Sequence, residues 1–198
     1  MRSVAVVPAA GSAVRFGGTK LLALIDGEPL LDRTIAALLD GGVDQIVVVV
    51  GPDADELKRD VNAFSDPRVR PAVNPDPSRG MFSSLQTGLS LAEGDADALV
   101  VLPADMPFVQ PATVRLLLAT FAAKSAIVSP RSNGKRGHPV ILPPDLRDEI
   151  RSADPFLTLH DILKRHPDIR VDVDVLDRGV VRDVDRPEDL PGGETLGR

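Results

Sequence analysis

Short apolar runs, rich in valine, alternate along this chain with segments whose apolar residues recur at helical spacing. Five of these runs are predicted to be buried strands, at residues 4–7, 45–50, 68–73, 98–102 and 126–129. Helical spacing over residues 30–39 ends at the pair Gly41-Gly42, and glycine commonly ends helices. Strands that alternate with helices form βαβ units around a mostly parallel sheet. The sequence therefore predicts an α/β fold with a Rossmann-like, three-layer α/β/α arrangement.

The remainder of the chain is predicted to extend the same domain. Further helices are predicted over residues 53–64, over 83–92 and from Pro111. A final strand is predicted at residues 169–175. There Asp172 and Asp174 alternate with valines, so both carboxylates are expected to face water.

Length and composition limit the number of domains and the classes of function. With 198 residues, 43% of them hydrophobic, the chain is long enough for one compact core. One domain over residues 1–190 is predicted, and the glycine-rich tail at 191–198 is expected to be disordered. Because 23 Lys and Arg stand against 29 Asp and Glu, with a formal charge of −6 and no long basic stripe, neither a nucleic-acid partner nor an anionic membrane is expected.

Cysteine and membrane signals are both missing from the sequence. Without cysteine, disulfides, thiolate metal sites and cysteine nucleophiles are excluded, and a bound metal must be held by oxygen or imidazole. No segment approaches the roughly 20 apolar residues of a membrane span. The apolar run at the start is interrupted by glycines before a signal-peptide pattern forms. A cytoplasmic enzyme is therefore expected.

A turn rich in small residues follows the first predicted strand and has the composition of a phosphate-binding loop. It runs from Ala9 to Lys20 and includes three glycines. Glycine and alanine leave backbone N–H groups accessible to anions, while Arg15 and Lys20 supply positive charge for the oxygens of a triphosphate. The alternative is an ordinary glycine-rich connection with two solvated cations.

Two well-known phosphate motifs are not present in this turn. The pattern G-x-G-x-x-G fails because Ala13 stands two residues after Gly11. The P-loop pattern fails because Lys20 is not preceded by glycine and is followed by Leu21 instead of serine or threonine. A Rossmann dehydrogenase and a P-loop kinase are therefore both disfavoured.

An acidic residue follows the predicted strand at 98–102 and is a candidate metal ligand. Asp105 lies between Pro103 and Pro107, and ligands of open α/β sheets bind beyond the carboxyl ends of strands, where the glycine-rich turn also arrives. Carboxylate oxygens suit Mg²⁺, which keeps several waters and links protein carboxylates to substrate phosphates. The alternative role for Asp105 is the N-cap of a helix over residues 108–121. A second carboxylate is expected, because one alone holds a nucleotide-bound magnesium loosely.

Two further segments carry polar groups suited to a small-molecule site. The turn at residues 74–80 leads into a helix whose first turn carries Ser83 and Ser84, where N–H groups and hydroxyls can contact a ribose or a base edge. Helix capping is the alternative role of both serines. His138 lies in a Gly-His-Pro sequence, but a lone histidine is more often structural than catalytic.

In their order along the chain, these segments resemble the motifs of the MobA-like nucleotidyltransferases, in particular the branch of molybdenum cofactor cytidylyltransferases. That family opens with A-A-G-x-S-x-R-x-G-x-x-K, and its fixed positions are filled here by Ala9, Ala10, Gly11, Arg15, Gly17 or Gly18, and Lys20. The family's serine is displaced, because Ser12 directly follows Gly11. In the family the Ala-Ala-Gly form accompanies cytidine transfer, whereas a Gly-Gly form accompanies guanosine transfer to the same cofactor. The implied fold is that of the nucleotide-diphospho-sugar transferases.

The other motifs of the family imply roles for further residues. Its Leu-x-x-Asp-x-Pro motif makes Asp105 a metal ligand, and its Asp-x-Asp-Thr-Pro-Glu-Asp-Leu ending makes Asp185 the second, with Asp183 as the near alternative. Capping of a terminal helix is the other role open to either of these two C-terminal aspartates. The family's Gly-Met-x-x-Ser-Leu segment is matched here from Gly80 and adds Ser84 to the nucleotide site. The residues of the implied nucleotide site are Ala9, Ala10, Gly11, Arg15, Lys20, Asn74, Gly80, Ser84 and Asp105. The Gly-His-Pro motif assigns His138 to the acceptor pocket.

One stretch departs from the family. Cofactor cytidylyltransferases carry a Gly-Asp-x-Gly-Ala-Arg segment, whereas residues 153–159 here read Ala-Asp-Pro-Phe-Leu-Thr-Leu. Only Asp154 matches, and an arginine that would bind an anion is missing. This departure leaves the identity of the acceptor open.

The resemblance implies a magnesium-dependent transfer of CMP from CTP to the terminal phosphate of the molybdenum-bound pterin cofactor, with release of pyrophosphate. Asp105 and Asp185 would hold Mg²⁺. Lys20, Arg15 and Asp105 are the implied catalytic residues, the two cations neutralising charge on the leaving pyrophosphate. A molybdoenzyme or its chaperone is a candidate partner. Two alternatives stay open: a transferase acting on a sugar phosphate or polyol phosphate, and a nucleotide-binding regulator without catalysis.

Overall fold

A computed structural model describes residues 1–11, 20–92 and 96–191 of the chain. Within these residues the strands are β1 (Ser3–Pro8), β2 (Leu24–Ile25), β3 (Glu28–Pro29), β4 (Gln45–Val50), β5 (Val69–Val73), β6 (Ala98–Val101), β7 (Ile127–Ser132), β8 (Lys135–Arg136), β9 (Val140–Leu142) and β10 (Arg170–Asp174). All but β2 and β3 join one sheet, in the order β10-β7-β9-β6-β1-β4-β5, with β8 paired to β7. β2 and β3 form a separate two-stranded sheet.

The valine-rich strands lie at the centre of the main sheet, where both faces of the sheet are covered. β1 pairs in parallel with β4 and β6, β4 with β5, and β7 with β10. β9 is antiparallel to both β6 and β7, which it separates. Every residue of β1 and β4 is buried, as expected for strands with no solvent-facing side. The prediction of a mostly parallel sheet is confirmed.

Helices cover the two faces of this sheet. They are α1 (Leu30–Asp40), α2 (Asp55–Asp60), α3 (Met81–Leu91), α4 (Pro111–Lys124), α5 (Leu146–Ser152) and α6 (Leu159–Lys164). α1, α2 and α4 pack on the face that includes Ala5 and Val7, while α3, α5 and α6 pack on the face that includes Val4 and Val6. α3 lies close to the sheet at Gly88, where a Cβ atom would overlap a methyl group of Val6. The predicted three-layer arrangement is confirmed.

The single helix predicted over residues 53–64 is wrong, because the chain leaves the helical conformation at Val61. This residue has φ −90° and ψ 113°, and its side chain is buried in the core. α2 therefore ends before it, and a 3₁₀ helix follows at Asn62–Ser65. The carboxylate of Asp32 accepts hydrogen bonds from the first two N–H groups of that 3₁₀ helix, at 3.1 and 2.8 Å.

The expectation that Asp172 and Asp174 face water is correct only for Asp174. The Asp174 side chain is 74% exposed, whereas that of Asp172 is 20% exposed. Arg136 covers Asp172 and donates a hydrogen bond to it at 2.7 Å. This contact depends on β8, a two-residue strand that pairs with β7 beyond the end of the predicted strand.

The main sheet draws strands from both ends of the described chain, with Ser3–Pro8 near one end and Arg170–Asp174 near the other. Residues 192–198, most of the predicted tail, lie outside the described residues. Of the helices described, none has the length and apolar character that a membrane crossing requires.

Candidate functional site

A pocket of about 430 Å³ opens beyond the carboxyl ends of β1 and β6. The residues predicted from the sequence that line it are Ala9, Ala10, Gly11, Lys20, Gly80, Ser84, Asp105 and Asp185. They come from four separate parts of the chain. Their meeting place is the edge of the sheet at which ligands of open α/β folds bind.

Backbone hydrogen bonds hold the loops after β1 and β6 side by side. The N–H of Ala104 donates to the carbonyl of Pro8 at 3.1 Å, and the N–H of Ala9 donates to the carbonyl of Val49 at 2.7 Å. The buried hydroxyl of Thr34 in α1 donates to the carbonyl of Ala104 at 2.9 Å. Asp105, the next residue, therefore follows a backbone segment that hydrogen bonds hold in place on two sides.

Lys20 lies between the two aspartates predicted to hold a metal. Its Nζ is 2.9 Å from Oδ2 of Asp105 and 3.2 Å from Oδ1 of Asp185. The side chains of Lys20 and Asp105 are only 15% and 27% exposed. Burial alone would lower the pKa of Lys20, but the hydrogen bonds and negative charges of the two aspartates outweigh it and raise this pKa above its ordinary value. Lys20 is therefore a charged ammonium group at neutral pH.

The capping role open to Asp105 is wrong. Helix α4 begins at Pro111 and its N-cap is Gln110, so Asp105 lies outside that helix. Its carboxylate lines the pocket, while its carbonyl accepts a hydrogen bond from the N–H of Val184 at 2.9 Å. This backbone bond brings the C-terminal segment to the pocket, and with it Asp185.

Asp185 lines the pocket, and Asp183 does not. The predicted terminal helix is a 3₁₀ helix at Pro187–Asp189. The carboxylate at its start belongs to Asp189, which accepts hydrogen bonds from the N–H groups of Asp185 and Arg186 at 2.9 and 2.8 Å. The capping role open to Asp185 is therefore also wrong, and its own carboxylate contacts the pocket lysine.

The pair formed by Asp105 and Asp185 fits a magnesium ion that is also bound to phosphate. Their carboxylates reach the same lysine nitrogen, so both can reach one cation. Mg²⁺ usually takes one or two carboxylates together with substrate phosphates and waters. Over residues 1–11, 20–92 and 96–191, no group of three or more potential metal ligands is found. The remaining ligands at this pair would therefore come from the nucleotide and from water.

Asn74 does not line the pocket but supports a residue that does. Its side chain is buried, and its Nδ2 donates to the hydroxyls of Ser83 and Ser84 at 2.9 and 3.0 Å. Ser83 donates in turn to the carbonyl of Gly80 at 2.7 Å, and no side chain caps the start of α3. Gly80 has a φ of +87°, which favours glycine. Capping is therefore wrong for both serines, and Ser84 is the one that lines the pocket.

The two predicted residues still to be placed are Arg15 and His138. Arg15 falls outside the described residues, so its role stays a prediction. His138 lines an adjoining pocket of about 320 Å³, which shares Gly80 and Met81 with the first. Burial lowers the pKa of His138 to about 4, although the charge of Asp105 acts in the opposite direction. His138 therefore carries a neutral imidazole at pH 7.

Apolar side chains form much of this adjoining pocket, which we call the apolar pocket. They include Met81, Phe82, Leu85, Phe156 and Leu157. Phe156 is 79% exposed and Met81 is 59% exposed, and large apolar groups left exposed beside a pocket favour ligand binding there. Sequence reasoning missed both. The one available signal was a phenylalanine in a chain with only 3% aromatic residues, placed in the segment that departs from the family.

Comparison with known proteins assigns this arrangement to a family. A family described as MobA-like NTP transferase domain matches residues 5–169. The nicotine blue oxidoreductase of Paenarthrobacter nicotinovorans is 34% identical over 156 residues, which cover 75% of this chain and 74% of that protein. A probable molybdenum cofactor guanylyltransferase of Thermococcus kodakarensis is 36% identical over 134 residues, which cover 66% of this chain and 61% of that protein.

Solved structures share the fold. Rv0371c from Mycobacterium tuberculosis H37Rv superposes with a TM-score of 0.78 at 24% identity, covering 96% of each chain. Its complex with manganese superposes with a TM-score of 0.69 at 24% identity, covering 90% of this chain and 93% of that chain. A nucleotidyl transferase from Methanothermobacter thermautotroptrophicus superposes with a TM-score of 0.72 at 25% identity, covering 95% of this chain and 94% of that chain.

The fold, together with the lysine and aspartates that meet in its pocket, defines the class of protein. It is a nucleotidyltransferase with the fold of the nucleotide-diphospho-sugar transferases. Within that class, the chain belongs to the MobA-like NTP transferase domain family. The resemblance to this family is confirmed, and the family indicates a nucleoside triphosphate and an acceptor as substrates.

Proposed function

We propose that this protein transfers CMP from CTP to the terminal phosphate of the molybdenum-bound pterin cofactor, with Mg²⁺ and with release of pyrophosphate. The observation that carries the proposal is the contact of Lys20 with both Asp105 and Asp185, at 2.9 and 3.2 Å, in a pocket that borders the apolar pocket. The first pocket has the charged groups that a triphosphate requires. The second has the apolar lining that a flat acceptor requires.

The proposed reaction needs no covalent enzyme intermediate. An oxygen of the acceptor phosphate attacks the α-phosphorus in line, and the bond from that phosphorus to the β-phosphate oxygen breaks as pyrophosphate leaves. Positioning and charge stabilisation then supply the catalysis. The ammonium of Lys20 neutralises charge on the leaving group, and Arg15 is proposed to act on the same group. The neutral imidazole of His138 is suited to orient the acceptor by a hydrogen bond without adding charge.

Asp105 and Asp185 are proposed to hold the magnesium ion. Such an ion supplies positive charge to the phosphate oxygens. Because Lys20 contacts both carboxylates and balances only one of their two negative charges, a divalent cation at these oxygens would replace the ammonium as their partner and leave it to bind phosphate. A manganese complex of a protein with the same fold is in line with a divalent cation here.

CTP is expected to be the better nucleotide, and Ala10 carries this prediction. Ala10 is partly buried and lines the pocket within the Ala-Ala-Gly form of the loop. We expect its methyl group to fill space beside the base, which would penalise a larger purine. We expect kcat/KM for CTP to exceed that for GTP by roughly 10- to 100-fold, because a methyl-sized difference decides about 1–3 kcal/mol. Ala10→Gly is expected to reduce this ratio.

A pyrophosphate-release assay of each NTP with candidate acceptors tests the proposal. The acceptors include the molybdenum-bound pterin, sugar phosphates and polyol phosphates, and the productive one identifies the substrate. The ratio of kcat/KM for CTP to kcat/KM for GTP needs no separate control for phosphate binding, since both nucleotides carry the same triphosphate. Equal or better use of GTP would refute CMP transfer and agree with the guanylyltransferase relative. Nucleotide binding without pyrophosphate release in any combination would favour the regulator.

A second candidate function is the oxidoreduction of nicotine blue. It is favoured by the exposed Met81 and Phe156 of the apolar pocket and by the 34% identity to a nicotine blue oxidoreductase. The absorbance of NADH or NADPH in the presence of nicotine blue tests it. Oxidation of either dinucleotide, with no pyrophosphate release from any NTP, would replace the proposed transfer by this function.

Removal of the Lys20 ammonium is expected to weaken use of the nucleotide without unfolding the protein. We expect Lys20→Ala to lower kcat/KM for the NTP by roughly 10- to 100-fold, because a hydrogen bond to a charged group contributes about 1.5–3 kcal/mol. Steady-state kinetics and thermal unfolding measure the two effects. Lys124→Ala, at the exposed end of α4, is the matched control. If the kinetics of Lys20→Ala match those of this control, Lys20 does not act on the nucleotide and the glycine-rich turn is an ordinary connection.

A further inference from the structure

A third pocket, of about 510 Å³, lies on the far side of His138 from the nucleotide pocket. We call it the arginine pocket, because its polar lining includes Arg131, Arg136 and Arg170, together with Ser129, His160 and the carboxylate of Asp172. It shares His138 and Leu159 with the apolar pocket. The three pockets therefore follow one another along the surface, and an extended acceptor can occupy the second and the third while its phosphate reacts in the first.

The arginines come from three different strands of the sheet. Arg131 is in β7, Arg136 in β8 and Arg170 in β10. The pairing of β7 with both β8 and β10 brings them together. Strand pairing fixes the spacing of the backbone positions that carry these three side chains, so the sheet itself holds the arginines near one another.

Two of these arginines already have carboxylate partners. Arg131 donates to both oxygens of Asp174, at 2.7 and 3.0 Å. Arg136 donates through Nε to both oxygens of Asp172, at 2.7 and 3.0 Å. These two aspartates neutralise two of the three guanidinium groups. The third positive charge, that of Arg170, has no carboxylate within ion-pair distance among the described residues.

Arg170 is also short of hydrogen bonds. Its Nε is buried and has no hydrogen-bond partner among residues 1–11, 20–92 and 96–191. Burial and the nearby charge of Arg136 lower the pKa of Arg170, with Asp172 acting in the opposite direction. A buried donor without a partner costs free energy that a bound acceptor recovers. An arginine in this state is well suited to an oxyanion, which it binds through two parallel N–H bonds.

We propose that the arginine pocket binds a second anionic group of the acceptor, apart from the phosphate that reacts. The ligand class is an oxyanion, either a phosphate-like group or a carboxylate, held by Arg170 and Arg136. The role of this pocket in binding the acceptor rests on the proposed function, whereas its binding of an anion can be tested separately. The pocket also supplies the anion-binding arginine that the segment at 153–159 lacks, because Leu159, which ends this segment, and His160, which follows it, line the arginine pocket.

Calorimetric titration with inorganic phosphate, and separately with acetate, tests the anion site without any knowledge of the acceptor. The proteins compared are the unmodified chain, Arg170→Gln, Arg136→Gln and the control Arg115→Gln. Arg115 is exposed on α4, on the opposite face of the sheet, where it donates to the carbonyl of Asp40 at 2.6 Å. Thermal unfolding checks that each variant is folded. Arg136→Gln keeps the test decisive if Arg170→Gln does not fold, since the Arg136 side chain is 53% exposed.

We expect saturable binding of at least one anion to the unmodified chain and to Arg115→Gln, and binding at least 5-fold weaker in Arg170→Gln and Arg136→Gln. The anion that binds more tightly identifies the group as phosphate-like or carboxylate. Binding should persist in Lys20→Ala, which separates this pocket from the nucleotide pocket. No saturable binding of either anion, or equal binding in all folded arginine variants, would overturn the proposal.

Kinetics link the anion site to the acceptor once the acceptor screen has found a substrate. Arg170→Gln is expected to raise KM for the acceptor about 10-fold, with little change in kcat or in KM for CTP. An unchanged acceptor KM would remove the arginine pocket from the acceptor site. If no NTP is turned over but Arg170 still controls anion binding, the anion site stands and the proposed transfer fails.

Discussion

The Asp105→Asn protein is expected to fold normally and to lose roughly 100- to 1000-fold in kcat, a loss typical of removing one electrostatic group from a catalytic site. The substitution keeps the volume of the side chain and removes its charge. One oxygen of the Asp105 carboxylate lies 2.9 Å from Lys20 Nζ, and the proposed magnesium loses the negative charge of one of its two protein ligands. The backbone bonds of this loop use main-chain atoms and stay intact. Pyrophosphate release at saturating CTP and Mg²⁺ measures the effect.

Asp148→Asn is the matched control for this variant. The Asp148 side chain is 92% exposed on α5, and its one ion pair within the described part of the chain is a long one with Arg151, at 3.7 Å. It should retain full activity and the same melting temperature as the unmodified chain. Turnover of Asp105→Asn equal to that of this control would contradict both the metal-ligand role and the catalytic role of Asp105. A melting temperature far below that of the control would mean that Asp105 acts through the fold.

The central strands could be predicted from the sequence because they are buried on both faces. β6 is a continuous apolar run, and β1 and β4 are apolar after their first residues, Ser3 and Gln45; such runs are typical of parallel sheets covered by helices. The break at Val61 and the partial burial of Asp172 could not be predicted in this way. Each depends on a contact made far along the chain, with Asp32 in the first case and Arg136 in the second.

The candidate site was predictable to the extent that its residues sit at the ends of predictable strands. Ala9 follows β1 and Asp105 follows β6, and the ends of neighbouring parallel strands meet. Asp185 was assigned only through the resemblance to the family, because nothing local distinguishes it from Asp183. The arginine pocket was not predicted at all, because the pairing of β7 with β10 and the short strand β8 leave no local pattern.

A buried carboxylate fixes the C-terminal segment that delivers Asp185 to the pocket. Asp177 accepts hydrogen bonds from the N–H of Gln110 at 2.9 Å and from the hydroxyl of Thr113 at 2.8 Å, both at the start of α4. It also accepts a bond from the N–H of Gly179 at 2.8 Å. These bonds tie the segment to the loop that leads from Asp105 to α4. The position of Asp185 therefore depends on how closely the two stretches of backbone approach.

Gly179 is where this approach is closest, and Gly179→Ala is expected to disturb both stability and catalysis. A Cβ atom there would overlap the carbonyl group of Phe108, so backbone must move. We expect the free energy of unfolding to fall by about 1–3 kcal/mol, as for other overpacked sites. We also expect kcat to fall roughly 10- to 100-fold, because a catalytic group displaced by about 1 Å can cost that much. Urea denaturation and pyrophosphate release measure the two effects.

Gly51→Ala is the control, because a Cβ at Gly51 has no heavy atom within 4 Å. If Gly179→Ala is destabilised but retains the kcat of this control, the segment holds the fold together without positioning Asp185.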